Sequence, residues 1–475
     1  MHASVPGALP AAPADRLPDG FAVRLDPRVR RRDGGSTLLG GSPLRLLRLA
    51  PRARELLTGE RLVVRDATTA SLAARLLDAG LAHPDLAPAT ETADVTVVVP
   101  VKDRPVELAR LLDALRVDPG TAAVPVVVVD DGSASPVRAD GAVVVRHATS
   151  RGPAAARNAG LREVRTPFVA FLDSDCVPRP GWLPVLRSHL ADPRLAIVAP
   201  RIVGLPGRGW LHEQESVAGA LDMGTRPAPV RPLSAVSYVP SAALLCRGPA
   251  LGAAGFDEAL RVAEDVDLVW RLAAAGWRVR LEPAAEVAHA NPTRVGEWVR
   301  RRAFYGTGAA LLAERHGPLV SPLVIAPELA AAAALAVAGG RAGRVAAVGM
   351  VAARAVRLSR RLARPGERPP VVLAAVLTAR SSGAAARALS RAATRHHWPV
   401  SVAAALVSRR ARRRLLVLAV AEGLLAWLPH RHRTGPVRHL AARRLDDLAY
   451  GAGLWAGALR ARSARALLPT RPPPA

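Results

Sequence analysis

The sequence contains few aromatic residues, two cysteines and one lysine, and each shortage argues against a class of protein. Aromatic residues make up 3% of its 475 residues, so the basic surface interleaved with aromatic side chains that is typical of nucleic-acid binding is missing. Cys176 and Cys246 lie far apart, with no CxxC or Cys/His cluster. This argues against a disulfide framework or a structural zinc site and fits a reducing cytosolic setting. No nucleic-acid partner is expected.

Positive charge is carried by arginine, apart from Lys102, and is unevenly distributed. Residues 319–475 contain 26 arginines and five acidic residues, a net charge of +21 out of +27 for the chain. The positive field therefore belongs to the C-terminal third. The N-terminus lacks the basic start and apolar core of a signal peptide, and the Ala/Pro-rich residues 1–18 are expected to form a disordered leader.

Residues 19–88 have the features of a small separate domain. Short strands are expected on both sides of the RDGGS turn at 32–36. Two helix-like runs follow at 42–59 and 69–80, each opened by a Ser or Thr capping candidate and closed by glycine. A proline-containing stretch without periodicity then indicates a linker.

Residues 93–318 alternate strand and helix signals, the pattern of an α/β fold with a mainly parallel sheet. The predicted strands are 95–101, 124–133, 142–147 and 167–175, and the predicted helices include 105–117 and 153–164. Ligands of such sheets bind at the carboxyl ends of the strands. The residues that follow each strand are therefore the first candidates for chemistry.

Acidic residues follow three of these strands. Asp103 follows the first strand, Asp130 and Asp131 close the second, and Asp173 and Asp175 close the fourth. Alternate residues of an extended segment face the same way, so Asp173 and Asp175 could converge on one divalent cation. Their hard oxygens suit Mg²⁺ or Mn²⁺ that bridges a diphosphate. An exposed loop is the alternative for either aspartate alone.

Glycine and arginine residues near these aspartates fit an anionic ligand. The DDGS turn at 130–133 lets a ligand approach the backbone closely. The helix at 153–164 begins behind Gly152, so its free N–H groups favour an anion, and Arg151 or Arg157 could bind phosphate. Neither a P-loop nor a GxGxxG motif is present.

Five segments, in chain order between residues 95 and 279, resemble the successive motifs of family-2 glycosyltransferases with the GT-A fold. They are VTVVVPVKDRP, VVVVDDGS, RGPAAARNAGL, FVAFLDSDCVPRPGWL and GFDEALRVAEDVDLVWRLAAAGWRV. The resemblance implies a Rossmann-like, mainly parallel sheet. It also implies inverting transfer of a sugar from a nucleotide-sugar donor, usually a UDP-sugar, with Mg²⁺ or Mn²⁺.

The resemblance implies which residues bind the donor. One of the two neighbouring aspartates of the DDGS turn would contact the uracil ring, and the others would lie along the donor. These implied donor residues are Pro100, Lys102, Asp103, Asp130, Asp131, Arg157 and Asp173.

The resemblance also implies a metal site and a general base. Asp175 would bind the metal, and Asp173 would support the sugar or the metal. His289 joins the metal ligands in several relatives, although a lone histidine is more often a surface residue. Asp265 would be the base, with Glu264 beside it. A base is needed because direct displacement at the anomeric carbon requires the acceptor hydroxyl to lose its proton as it attacks.

The C-terminal region, 319–475, consists of apolar runs broken by arginine clusters, typical of helices. Only 319–340 approaches the roughly 20 residues needed to span a bilayer. The helices either pack with their arginines in water or lie on anionic lipid. Association with the cytoplasmic face of the cell membrane is favoured, with or without a spanning helix at 319–340.

The layout of the whole chain resembles the mycofactocin-system glycosyltransferases, and residues 19–88 resemble the PqqD-like winged-helix modules that bind leader peptides. This implies transfer of glucose to a small redox cofactor made from a ribosomal peptide, with a peptide partner at the N-terminal domain. The alternatives are a structural role for 19–88, or a membrane-associated enzyme of polysaccharide or lipid-linked glycan synthesis. A leader-peptide scaffold without activity is a third, against which the intact Asp175 and Asp265 argue.

Overall fold

The structure is a computed structural model that describes residues 8–363 and 368–472. The chain divides into two compact units, one ending at Thr293 and the other beginning at Arg294. The sequence places the corresponding boundary at residue 318. The difference arises because the helix that begins at Val295 packs against the last long helix of the C-terminal unit.

The small domain consists of two three-stranded antiparallel sheets and two helices. Strand β1 is central in one sheet, in the order β5-β1-β6, and β3 is central in the other, in the order β2-β3-β4. Its elements are β1 (Ala22–Leu25), β2 (Arg30–Arg32), β3 (Thr37–Gly40), β4 (Arg45–Arg48), α1 (Pro51–Leu56), β5 (Arg61–Val63), α2 (Ala67–Asp78) and β6 (Ala82–Pro84).

The predicted strands around the RDGGS turn are present, and so is the second predicted helix. Asp66 caps α2 in a reciprocal capping box with Thr69, whose backbone N–H donates to the Asp66 side chain at 2.7 Å. The helix predicted over 42–59 is wrong in its first half. Residues 45–48 pair with β3 as strand β4, and only the segment that starts at Pro51 is helical.

Residues 8–18, which the sequence assigns to a disordered leader, make contacts with the rest of this unit. The backbone N–H of Ala12 donates to the Ala275 carbonyl at 3.0 Å, and the indole N–H of Trp277 donates to the Pro10 carbonyl at 2.7 Å. Leu17 is buried in the core of the small domain. Residues 1–7 of the predicted leader lie outside the described residues.

The α/β part of the chain that carries the predicted transferase motifs is built on one mixed sheet, in the order β9-β8-β7-β10-β14-β12-β15-β11, with β13 beside β15. Strands β9, β8, β7 and β10 are parallel, and β14 is antiparallel to both of its neighbours. The elements are β7 (Val95–Val101), α3 (Pro105–Val117), β8 (Val126–Asp130), β9 (Val143–Arg146), α4 (Pro153–Glu163), β10 (Phe168–Leu172), β11 (Cys176–Pro178), α5 (Trp182–His189), β12 (Leu195–Gly204), α6 (Trp210–Ala218), β13 (Ala228–Pro229), β14 (Ala243–Arg247), α7 (Gly248–Leu251), α8 (Glu264–Ala274) and β15 (Arg278–His289).

Valine runs in β7 and β8, and one glycine in α4, explain how helices cover the parallel strands. Strands β7 and β8 are buried over nearly their whole length, as expected for parallel strands covered on both faces. A Cβ on Gly160 of α4 would lie 2.3 Å from the Val98 side chain, so the helix can pack this close to β7 only with glycine there. Cys176 and Cys246 are both free and buried.

The C-terminal unit is helical, as predicted. Its first and last long helices pack closely because Gly306 and Gly453 face the partner backbone, where a Cβ would lie about 2 Å from a carbonyl oxygen. Arg302 forms an ion pair with Asp446 at 2.8 Å within this unit. The helices are α9 (Val295–His316), α10 (Pro327–Ala338), α11 (Gly340–Leu362), α12 (Val371–Arg391), α13 (Trp398–Val407), α14 (Arg409–Trp427) and α15 (Pro436–Arg460).

The sequence left open whether 319–340 forms a membrane-spanning helix, and the structure has no single helix over this run. This run contains a turn and the 12-residue helix α10, which ends at Ala338 before Gly339 and Gly340. At 1.5 Å per residue, α10 is far shorter than the roughly 30 Å hydrocarbon core of a bilayer. Within 8–363 and 368–472, no helix has both the length and the apolar character that a membrane crossing requires.

Candidate active site

The carboxyl ends of β7, β8 and β10 bring the predicted aspartates to one edge of the sheet. Asp130 ends β8 and is paired in register with Val101, the last residue of β7. Asp173 follows directly after β10, which is parallel to β7. The parallel arrangement therefore collects side chains that are up to about seventy positions apart in the sequence.

Asp130 is fully buried and holds the turn that follows its strand. Its carboxylate accepts hydrogen bonds from the backbone N–H groups of Ser133 at 2.8 Å and Val137 at 3.1 Å, and it forms an ion pair with Arg146. Burial raises the pKa of this carboxyl, but the hydrogen bonds from Ser133 and Val137 and the charge of Arg146 outweigh it and leave the pKa below its ordinary value. Asp130 is therefore a charged residue that holds the turn after β8 in place.

Asp131 uses both carboxylate oxygens to hold the segment that leads into α4. It accepts from His147 Nδ1 at 2.7 Å, from Ser150 Oγ at 2.7 Å and from the backbone N–H groups of Arg151 at 2.8 Å and Gly152 at 2.9 Å. Burial raises its pKa, but these four hydrogen bonds prevail and the pKa is lowered.

A carboxylate of the chain itself holds the segment that leads into α4. The backbone N–H groups of Arg151 and Gly152, just before the helix, donate to Asp131. The Arg151 side chain, a candidate for binding phosphate, pairs with Glu258 at 2.9 Å. The N–H groups of the first turn of α4, which the sequence predicts to favour an anion, are not among these donors, and their anion site stays a prediction.

The turn after β7 is tied to the turn after β8. The backbone N–H of Asp103 donates to Ser133 Oγ at 2.9 Å, and its carboxylate accepts from the N–H of Ala134 at 2.8 Å. Asp103 has a φ of +54°, uncommon for a residue with a side chain. Lys102 is exposed at this edge, and Pro100 lies in β7 opposite β8.

Arg157 connects the two acidic motifs. The residue is 2% exposed, and its side chain donates to Asp173 Oδ1 at 2.6 Å and to Glu264 Oε1 at 3.0 Å. Its guanidinium lies over the Phe256 ring, 5.4 Å from the centroid. One buried cation thus fixes the carboxylate after β10 relative to the first residue of α8.

Asp265 lies in the first turn of α8 and is half-buried. Its oxygens accept from the backbone N–H groups of Ser241 at 3.1 Å and Val266 at 2.8 Å. Burial and the adjacent negative charge of Glu264 raise the pKa of the Asp265 carboxyl well above its ordinary value, although both hydrogen bonds act in the opposite direction. A carboxylate held in this way is a strong proton acceptor.

The backbone just before the two acids is in an uncommon conformation. Ala263 adopts a left-handed conformation, with φ +65° and ψ +21°, immediately before Glu264. This costs about 1–2 kcal/mol for a residue with a Cβ. Strain of this kind is concentrated at functional sites, where the surrounding structure holds it in place.

Asp175 and His289 are neighbours because β11 pairs with the end of β15. The backbone register places Cys176 opposite His289, and His289 Nε2 lies 3.4 Å from Asp175 Oδ1. The other oxygen, Oδ2, forms an ion pair with Arg104. Both Asp175 and His289 are buried, and His289 Nδ1 lacks a hydrogen-bond partner.

The extended geometry from which the convergence of Asp173 and Asp175 on one ion was predicted is absent. The segment is a turn rather than an extended strand, with the N–H of Cys176 bonded to the Asp173 carbonyl at 3.0 Å, so alternate residues do not face the same way. Asp173 pairs with Arg157 instead. Across the part of the chain that the structure describes, no three acidic, His or Cys side chains are grouped to hold a metal.

Sequence reasoning missed several residues that hold the site together. Arg104 contacts Asp175, Ser241 contacts both Glu264 and Asp265, and His147 and Ser150 contact Asp131. Arg104 follows directly after the KD pair of the first motif, which was the available signal. The others lie in segments without a distinctive pattern.

Comparison with known proteins identifies the family. The model for glycosyl transferase family 2 matches residues 96–250. A pre-mycofactocin glycosyltransferase of Mycobacterium tuberculosis (strain CDC 1551 / Oshkosh) is 48% identical over 474 residues, which cover 96% of this chain and 99% of the relative. The chain belongs to the pre-mycofactocin glycosyltransferases. The predicted family, GT-A fold and glycosyltransferase activity are thereby confirmed.

Two more distant proteins are similar to parts of the chain. The succinoglycan biosynthesis protein ExoO of Rhizobium meliloti (strain 1021) is 30% identical over 216 residues, covering 40% of this chain and 59% of that protein. A mannosyltransferase from Pyrobaculum calidifontis, solved in complex with GDP-Man and Mn²⁺, is 24% identical. It aligns over 64% of this chain and 90% of its own, with a TM-score of 0.39.

Proposed function

We propose that this glycosyltransferase transfers glucose from a UDP-sugar, with inversion, to a small redox cofactor made from a ribosomal peptide. The family membership supports the acceptor class, because the relative at 48% identity is named for its action on pre-mycofactocin. The observation that carries the chemistry is Asp265, a carboxylate with a raised pKa at the start of α8. Arg157 and Glu264 link it to the residues after β10.

Asp265 acts as the general base. As the acceptor oxygen attacks the anomeric carbon, its proton moves to a carboxylate oxygen of Asp265, and the new C–O bond forms on the face opposite the leaving group. The bond from the anomeric carbon to the diphosphate oxygen breaks, and the nucleoside diphosphate departs with the electron pair. The raised pKa favours this transfer because a more basic carboxylate takes the proton more readily.

Asp175 and His289 are the proposed ligands of a divalent cation, Mg²⁺ or Mn²⁺. Two adjacent protein ligands suit an ion that completes its coordination with water and donor phosphates. An imidazole and a carboxylate together fit this donor set. When bound, the ion would neutralise charge on the departing diphosphate. Arg157 keeps Asp173 in place beside this site for the donor sugar.

The remaining predicted donor residues are proposed to form the nucleotide side of the site. Asp130 and Asp131 fix the turns after β8 and before α4 with charge-assisted hydrogen bonds. Because all four hydrogen bonds of Asp131 are internal, we propose that it positions the uracil-binding loop. The adjoining turn contains Lys102 and Asp103 and follows β7, in which Pro100 lies. This turn is bonded to the same loop through Ser133 and Ala134. Pro100, Lys102 and Asp103 are proposed to line the donor.

A donor panel tests the function. Full-length enzyme is incubated with UDP-glucose, other UDP-sugars and GDP-mannose, with and without Mn²⁺, and with the peptide-derived cofactor as acceptor. We expect transfer from UDP-glucose that requires the metal and is lost in Asp175→Asn. An Asp113→Asn control, on an exposed part of α3, should retain activity. Turnover without any metal, or none with any donor, would contradict the proposal.

The C-terminal unit is proposed to rest on the cytoplasmic face of the membrane without crossing it. Arg409, Arg413, Leu416, Val420 and Leu424 recur at helical spacing on α14, and all are exposed. The opposite face of the helix carries a buried glutamate that is bonded to arginines of α15. An exposed stripe of arginine and aliphatic residues suits an interfacial helix on anionic lipid.

Vesicle co-sedimentation tests this membrane proposal. Binding to vesicles of phosphatidylglycerol should exceed binding to phosphatidylcholine and should fall in the double variant Arg409→Gln/Arg413→Gln. The double variant Arg380→Gln/Arg387→Gln, which makes the same charge change on exposed positions of α12, is the control. Equal binding to both lipids, or an equal loss in both variants, would contradict a role for the α14 stripe.

The small domain is proposed to stabilise the catalytic domain. Arg278 of β15 donates to Asp78 at the end of α2 at 2.9 Å and also to Asp192, and Arg280 contacts His83 at 2.8 Å. Both arginines are buried. Titration of the full-length enzyme with the leader peptide distinguishes this from a peptide-binding role. Saturable binding would favour the peptide partner, and no binding at high micromolar concentration would favour the structural role.

A further inference from the structure

The Arg104 guanidinium is paired with Asp175, the proposed metal ligand, where a metal cation would otherwise be expected. Asp175 is 5% exposed, and a buried carboxylate requires a compensating charge. Its Oδ1 faces His289 Nε2 at 3.4 Å, and its Oδ2 is paired with the Arg104 guanidinium. In this structure, both oxygens of the carboxylate therefore already have partners.

Arg104 and Arg157 differ in how easily each can be displaced from the carboxylates with which it pairs. The Arg157 side chain is 3% exposed and bridges two carboxylates, so its removal would leave both uncompensated. The Arg104 side chain is 40% exposed. It can rotate into water at little cost once another cation neutralises Asp175, because an exposed guanidinium remains fully hydrated.

The backbone that carries Arg104 is fixed although its side chain is exposed. The preceding residue, Asp103, is bonded through its N–H to Ser133 and through its carboxylate to Ala134. Arg104 itself caps α3, followed by Pro105 at the first helical position. The backbone of Arg104 is thus held in place near Asp175, and only the side chain needs to move.

We propose that Arg104 is a resident counter-ion of Asp175 that a divalent cation must displace, so that Arg104 sets the metal affinity of the donor-free enzyme. This inference rests on the proposed role of Asp175 as a metal ligand. Arginine stays charged at all relevant pH values. The metal therefore binds only the fraction of molecules in which the ion pair is open, and its apparent dissociation constant equals the intrinsic constant divided by that fraction.

Binding of Mn²⁺ to metal-free, full-length enzyme tests the inference without any turnover. Free Mn²⁺ is followed by electron paramagnetic resonance in wild type, Arg104→Gln, Arg104→Met and Arg116→Gln. Arg116 lies at the other end of α3 and pairs with Asp113 at 3.1 Å, so Arg116→Gln makes the same charge change away from the site. We expect both Arg104 variants to bind Mn²⁺ about tenfold more tightly, which corresponds to about 1.4 kcal/mol, and Arg116→Gln to remain within twofold of wild type.

Asp175→Asn separates failure of this inference from failure of the metal site. If Asp175→Asn abolishes binding but the Arg104 variants bind Mn²⁺ no more tightly than wild type, the metal site is supported and the displacement of Arg104 by the metal is refuted. If Asp175→Asn binds Mn²⁺ as tightly as wild type, Asp175 is not the metal ligand, and the inference about Arg104 is refuted as well. Equal tightening in Arg116→Gln would also refute it, because the effect would then be a general one of net charge.

Discussion

Arg157 is the residue whose removal should disturb both the stability and the chemistry of the site. Arg157→Met keeps much of the aliphatic volume but removes the cation that Asp173 and the buried Glu264 share. Breaking a buried ion pair in this way costs about 3–5 kcal/mol of unfolding free energy. At about 2–4 °C per kcal/mol for a domain of this size, the melting temperature should fall by roughly 6–20 °C.

The same substitution should change the pH dependence of catalysis. The positive charge of Arg157 lowers the pKa of Asp265, against the larger effects of burial and of Glu264. Without that charge the pKa rises further, so a higher pH is needed to keep the base deprotonated. We expect the acidic limb of the kcat/KM profile, measured at saturating metal, to shift to higher pH in Arg157→Met.

Arg187→Met is the matched control for this experiment. Arg187 also pairs with a carboxylate, Asp94 at 2.9 Å, and lies over an aromatic ring, that of Phe168 at 4.4 Å, but neither partner belongs to the acidic motifs. It should lose some stability and keep the wild-type pH profile. An unchanged melting temperature and an unchanged acidic limb in Arg157→Met would refute the view that this arginine couples the two motifs.

Three further outcomes are expected. Asp131→Ala should speed hydrogen exchange of the Arg151 and Gly152 amides, measured by mass spectrometry, because both donate to its carboxylate; unchanged protection would contradict its anchoring role. Ala263→Val should lower the melting temperature and Ala263→Gly should not, since a β-branched residue resists the positive φ; the reverse order would contradict strain at this position. Asp265→Asn should be more stable than wild type by an amount that grows from pH 5 to pH 8, because a raised folded-state pKa means that wild type loses stability as pH rises; a difference independent of pH would contradict the raised pKa.

Strand positions and strand-end acids could be predicted from the sequence because they follow from local patterns. The valine run at 95–101 is strand β7 with the predicted bounds, and α3 spans the predicted 105–117. Buried parallel strands require continuous apolar runs, and this requirement is visible without a structure. The site could be anticipated because the topology of such sheets brings the carboxyl ends of strands together.

Partners of the charged residues could not be predicted, because partner choice depends on the three-dimensional arrangement. The backbone N–H groups of Arg151 and Gly152, just before α4, donate to Asp131, because the parallel pairing of β8 with its neighbours places this aspartate beside them. Similarly, the turn after β10 separates Asp173 from Asp175 and gives each a different arginine. Neither set of partners produces a periodic pattern in the sequence.

Hydropathy alone also did not predict the helix bounds in the C-terminal unit. The run at 319–340 is apolar enough to suggest a membrane span, but prolines and the Gly339–Gly340 pair limit its helix to Pro327–Ala338. Helix α9, assigned to the catalytic domain by sequence, packs with α15 through glycines spaced far apart in the chain. Close helix packing of this kind depends on which faces meet, and the sequence does not specify this.

Separating donor binding from transfer in Asp265→Asn tests the central claim most directly, namely that Asp265 is the general base. UDP affinity is measured by calorimetry in the presence of Mn²⁺, and transfer is measured with UDP-glucose and the cofactor acceptor. The account predicts transfer reduced by about 10²–10⁴-fold, with UDP affinity within a few-fold of wild type. Transfer at the wild-type rate, or loss of UDP binding together with transfer, would contradict the assignment of Asp265 as the base.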